Sequence, residues 1–119
     1  MSNPVKIYTY QRCGTCRKAL KYLVDKGIEY HDIPIRETPP RKTELKTMLK
    51  HLEGRRNLLF NTSGTDYREL KIKDQMAGMT DQDAIDLLNS NGNLVKRPFL
   101  LTAEGGLVGF KQDQWDAFF

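Results

Sequence analysis

The feature that most constrains this chain is a strand-like run, Val5-Lys6-Ile7-Tyr8-Thr9-Tyr10, that leads through Cys13-Gly14-Thr15-Cys16 into an amphipathic helix. Two cysteines three positions apart at a helix start can close one disulfide without moving the backbone. The helix start also offers free N–H groups and the positive end of a macrodipole, which favour a thiolate over a thiol. Arg12, Arg17 and Lys18 add positive charge beside the same turn. In the following helix Cys16, Ala19, Leu20, Leu23, Val24 and Gly27 recur at i, i+3, i+4, i+7, i+8 and i+11, an inward apolar stripe. Cys16 is therefore expected to face the core, where burial keeps a thiol protonated. Cys13 stands at or just before the N-cap, outside the stripe. The expected division of labour is Cys13 as nucleophile and Cys16 as resolving thiol.

Two other uses of the motif have to be weighed. Half of a zinc site would require two further ligands at suitable spacing. The chain offers only His31 and His51, each isolated, so no metal site is expected. A buried, inert pair is the other alternative, because free cysteine is often a small hydrophobe. The helix-start position of Cys13 argues against it. The N-terminal Met-Ser-Asn-Pro lacks the basic-then-apolar pattern of an export signal. A vicinal pair in a chain that is not exported is more readily redox-active than structural, and the expected location is the cytoplasm.

At 119 residues, with no apolar stretch long enough to cross a bilayer, the expectation is one domain spanning 1–119 and no membrane contact. The net charge is +4, from 19 Lys and Arg against 15 Asp and Glu. The cations are scattered in sequence among acids, which reads as a solvated surface rather than a nucleic-acid site. A small anionic substrate or an acidic protein partner remains open.

Pro34-Ile35-Arg36-Glu37-Thr38-Pro39-Pro40 is a loop, and Ser90-Asn91-Gly92-Asn93 is a helix stop. Between them the spacing predicts helices. Leu45, Met48, Leu49 and Leu52 mark the first, Tyr67, Leu70 and Ile72 a short second. Thr80 with Asp83 forms a variant capping box opening a third, with Ala84, Ile85 and Leu88 inward. Phe99-Leu100-Leu101 and Leu107-Val108-Gly109-Phe110 flank Ala103-Glu104-Gly105-Gly106 as a hairpin. Trp115, Phe118 and Phe119 read as core anchors of a closing helix. The first strand, helix and strand imply a parallel pair with a right-handed crossover. The whole order is α/β: a thioredoxin-like mixed four-stranded sheet with helices on its faces. Its core is expected from 1–39 and 92–119, and a helical insertion from 40–91.

With these motifs in place the chain resembles the arsenate reductase/Spx/YffB family over nearly its full length. The resemblance is carried by Ile7-Tyr8-Thr9-Tyr10, Cys13-Gly14-Thr15-Cys16-Arg17-Lys18-Ala19, and Asn61-Thr62-Ser63-Gly64 ahead of Tyr67-Arg68-Glu69-Leu70. Lys96-Arg97-Pro98 before a strand and Val108-Gly109-Phe110 complete it. It implies that Cys13 attacks the substrate and that Arg97 holds an anion, for which a forked guanidinium is suited. It also implies a cis bond before Pro98, bringing Arg97 towards Cys13. Arg12, Gly14, Thr15 and Pro98 are the expected substrate-binding residues, with the N–H groups of Gly14 and Thr15 facing the anion. Gly14 is further expected to leave the approach to the nucleophile unobstructed.

The same resemblance bears on activity. Arsenate reductases dependent on glutaredoxin have serine where Cys16 stands, and carry two further arginines that would fall near Asn61 and Phe110. Lys111 and Arg55 are the candidates to replace them. The implied activity is a thiol–disulfide oxidoreductase acting on a disulfide or an oxyanion, with glutathione, glutaredoxin or thioredoxin as reductant and no bound cofactor. The alternative is an Spx-like redox regulator that binds the C-terminal domain of the RNA polymerase α subunit. Spx proteins use a glycine in the insertion, where this chain aligns Arg55 next to Gly54, and continue into a basic tail.

Overall fold

The computed structural model describes residues 5–119; the Met-Ser-Asn-Pro start, and with it the opening of the expected 1–39 core segment, lies outside the described residues. Four strands form one mixed sheet in the order β2-β1-β3-β4. β1 (Val5–Thr9) pairs in parallel with β2 (Tyr30–Pro34), and α1 (Gly14–Asp25) connects them. β3 (Phe99–Leu101) runs antiparallel to β1, with Tyr8 opposite Phe99, and β4 (Gly106–Val108) closes the hairpin. Between β2 and β3 come α2 (Lys42–His51), α3 (Thr65–Glu69), α4 (Ile72–Gln75) and α5 (Asp81–Ser90). α6 (Gln112–Phe118) ends the chain.

The period-2 alternation of strands sends β1 into two cores. Val5 and Ile7 pack with Ala19, Tyr22, Leu23, Leu100 and Trp115 beneath α1 and α6. Tyr8 and Phe99 face the opposite side, among Leu45, Met48, Ile85 and Leu88 of the helical insertion. Lys6 and Tyr8 share that face, and both donate to Glu44 of α2 at 2.6 Å. These bonds tie the insertion to the sheet. Thr80 and Asp83 form the capping box expected at the start of α5. Gly92 fits against the backbone of Ile35: a Cβ there would lie 1.9 Å from the Ile35 carbonyl oxygen.

Four expected core positions differ. Val24 is 63 % exposed, and Tyr22 is buried in its place. The reason is tertiary. Tyr22 stacks edge-on against Trp115 and Phe110, and its hydroxyl donates to Asp116 at 2.7 Å. Gly27 lies beyond α1 with φ +69°, where its N–H reaches the Val24 carbonyl as a left-handed cap. Leu70 is exposed because Lys71 takes a left-handed conformation and splits the expected second helix into α3 and α4. Among the closing aromatics only Trp115 is fully buried, its Nε1 donating to Gly109 O at 3.2 Å; Phe119 is exposed.

Candidate functional site

Cys13 is the N-cap of α1, with extended backbone and a half-buried side chain whose sulfur accepts the Cys16 N–H at 3.2 Å. A turn closed by the Cys13 N–H on the Tyr10 carbonyl joins β1 to this cap. Cys16 sits one turn on, at 1 % exposure. Burial pushes the Cys16 thiol up to about 12, and its hydrogen bond with Cys13 adds to the rise. A backbone hydrogen bond with Tyr10 and the nearby Arg97 guanidinium oppose it without reversing it. The two thiols are free and unequal: one reaches the surface, the other is sealed and neutral.

Cys13 opens onto a cleft of about 540 Å³. Arg12, Thr15 and Arg97 line it together with Cys13, so four of the residues singled out from sequence come to one place. Gly14 stands exposed at the first position of α1, and a Cβ there would meet nothing within 4 Å. Pro98 is buried behind the wall, with the Arg97–Pro98 bond cis and its carbonyl accepting the Gly109 N–H at 2.8 Å. Lys96 and Lys111 also line the cleft, and no carboxylate does. Arg55 is elsewhere, its Nε bonded to the Leu52 carbonyl at the end of α2. Asn61 and Phe110 line the cleft as neutral groups where the resemblance would place arginines.

The Arg97 side chain is held by Tyr10, whose ring centroid lies 4.8 Å from the guanidinium carbon. Arg36 engages the same ring at 4.9 Å and donates to the Tyr10 hydroxyl at 2.8 Å. Arg97 Nη1 is buried and finds no hydrogen-bond partner among the described residues. A buried donor left without an acceptor is costly, and the same guanidinium lines the cleft. Asn61 is buried in the lining of the same cleft, its N–H donating to the Leu94 carbonyl and its side chain packed against Gly64. A Cβ at Gly64 would stand 2.8 Å from Asn61 Nδ2.

Tyr10, Asn61 and Lys96 carry no signal in hydrophobic periodicity. Only the Asn-Thr-Ser-Gly turn before a helix was readable locally. Among the described residues no three His, Cys, Asp or Glu side chains are grouped to hold a metal, and no helix is long and apolar enough to cross a membrane.

A half-exposed thiol at a helix cap, a buried thiol behind it and a cationic wall are the decisive geometry, and the sequence profile of the ArsC family matches residues 8–118. The chain belongs to the ArsC family. It is similar to YusI of Bacillus subtilis strain 168, with 44 % identity over 109 residues covering 92 % of each chain. The structure of an ArsC-family-related protein from Bacteroides fragilis superposes with a TM-score of 0.92, at 37 % identity over the whole of both chains. The global transcriptional regulator Spx of Streptococcus pyogenes serotype M1 is 26 % identical over 114 residues, 96 % of this chain and 84 % of Spx. This ArsC-family chain thus has the arsenate-reductase-like fold with its cysteine pair closed into one turn.

Proposed function

We propose that this chain is a cytoplasmic thiol–disulfide oxidoreductase whose reacting pair is Cys13 and Cys16. The observation that carries the reading is the asymmetry of the two sulfurs within one helical turn, Cys13 open to a carboxylate-free cleft and Cys16 buried behind it. Cys13 thiolate attacks one sulfur of a substrate disulfide; a new S–S bond forms and the other half leaves as a thiolate. Cys16 then gives up its proton and attacks Cys13 Sγ, releasing the second half. The substrate gains two electrons and the pair is left as a disulfide. Glutathione, glutaredoxin or thioredoxin restores the dithiol by the same exchange.

The Arg97 guanidinium, with Arg12, Thr15 and the N–H groups at the start of α1, is suited to hold negative charge on the substrate. An oxyanion substrate such as arsenate uses the same wall. Neutral Asn61 and Phe110 stand where the resemblance calls for two forked guanidinium groups, and Lys96 and Lys111 supply point charges instead, which favours a disulfide as the substrate. The scheme calls for no bound metal or nucleotide.

The test is steady-state reduction of a small disulfide and of arsenate, with glutathione plus glutaredoxin or with thioredoxin supplied in turn. Cys13→Ser is expected to abolish turnover, and Cys16→Ser to accumulate a mixed disulfide on Cys13. Full turnover in Cys13→Ser would overturn the assignment. Likeness to Spx supports a second reading, a redox-sensing regulator that binds the RNA polymerase α C-terminal domain. Stoichiometric binding that changes on oxidation, without turnover, would favour it.

A further inference from the structure

The cations that look scattered in sequence are gathered by the fold. A second cleft, of about 330 Å³, lies along the outer face of α1 and shares Phe110 with the Cys13 cleft. Lys18, Lys21 and Lys26 line it, with Asp25 as the one carboxylate, already paired with Lys21 at 2.8 Å. Asp116 stands nearby, occupied by the Tyr22 hydroxyl. Gly14, Lys18, Lys21 and Asp25 fall at i, i+4, i+7 and i+11, so the lysines continue the helix face that begins beside Cys13. With Arg12, Lys96, Arg97 and Lys111 in the first cleft, the two hold seven of the chain's 19 cations and one of its 15 carboxylates. The remaining 12 cations and 14 carboxylates leave the rest of the chain slightly negative. The two clefts are cation-rich, and Cys13 opens onto one of them.

We propose that this continuous face docks an acidic polypeptide carrying the exchanging sulfur, its carboxylates spread along α1 while its sulfur sits at Cys13. The inference rests on the thiol–disulfide reading above. Twelve helical residues span about 18 Å, the reach of roughly six extended peptide residues, well beyond a bare oxyanion. Charge complementarity across such a face raises encounter rates and aligns the partner. A nucleic acid fits less well, because the aromatics that would stack bases are already engaged. Tyr10 is held by Arg36 and Arg97, and Tyr22 is buried against Trp115 and Phe110.

The test uses three cysteine peptides of equal length activated as 2-pyridyl disulfides, flanked by Asp/Glu, Ser or Lys. Thione release reports their exchange with the full chain. The acidic peptide is expected to react at least tenfold faster than the neutral one at low salt and the basic peptide slower, with the differences collapsing near 1 M salt. The double variant Lys21→Gln/Lys26→Gln is expected to lose most of the acidic advantage while its neutral-peptide rate stays unchanged. Equal rates for the three peptides at low salt would overturn the docking face and leave the redox reading intact. No reaction with any peptide, nor with neutral 2,2′-dithiodipyridine, would instead overturn the redox reading beneath it. Tighter binding of a single-stranded oligonucleotide than of an acidic peptide of equal charge would overturn the choice of partner.

Discussion

Cys13→Ser leaves Cys16 as the sole thiol, and the structure sets how slowly that thiol must react. With Cys13 present the Cys16 thiol is pushed up to about 12, chiefly by burial. Cys13→Ser keeps the burial and a polar atom at the cap but removes the Cys13 charge that adds to the rise, so the deficit worked from that value is an upper bound. At pH 8 about one Cys16 in ten thousand is a thiolate, against roughly a quarter of an ordinary cysteine, a deficit of about two thousandfold. A more basic thiolate is intrinsically more nucleophilic, which recovers about fortyfold in disulfide exchange. The net expectation is about fiftyfold slower exchange than the same thiol in the urea-unfolded chain. Exposure of only 1 % slows it further. The assay is thione release from 2,2′-dithiodipyridine at pH 8, native against unfolded, in the one variant. A native rate within fivefold of the unfolded rate would refute the burial argument, and with it the ordering of the pair.

Gly92→Ala is expected to cost about 3 kcal/mol in urea unfolding, because its Cβ would meet the Ile35 backbone; an unchanged midpoint would show that this contact relaxes freely. Burial raises the Glu44 carboxyl, but hydrogen bonds from Lys6, Tyr8 and the Arg41 N–H outweigh it and hold the group below the usual range. Its contribution is therefore present above the ordinary carboxylate pKa and is lost as pH falls through the depressed value. Glu44→Gln is expected to lose about 2 kcal/mol at pH 7 and to show a shallower acid limb in thermal melts; parallel limbs would contradict this. Tyr10→Leu removes the ring that orients Arg97, and should raise KM for an anionic disulfide about fivefold with kcat within twofold, whereas Tyr10→Phe stays close to wild type. Equal KM values in both variants would show that Arg97 does not depend on the ring.

What the sequence disclosed was local. The capping box of Thr80 and Asp83, the hairpin around Gly105-Gly106 and the thiol turn are each set within a few residues, so spacing and turn chemistry suffice to read them. Tyr22 was missed because its burial is decided by Trp115 and Asp116, more than ninety residues along the chain. Phe119 failed as an anchor because it lies past the end of α6, the helix that turns Trp115 into the core. The charged face was invisible for the same reason. Lys96, Arg97 and Lys111 lie far from Cys13 in sequence and come to line its cleft only when β1, β3 and the segment after β4 converge. Tyr10, one residue past β1, shows its role only through the two arginines that meet its ring.

The most direct measurement is single-turnover oxidation of the reduced protein by one equivalent of a neutral disulfide, followed by intact-mass and peptide mapping. The account predicts a product lighter by two hydrogen atoms in which Cys13 and Cys16 form one intramolecular bond, preceded by a transient adduct on Cys13. A stable adduct on Cys16, or an adduct on Cys13 that Cys16 never resolves, would contradict it.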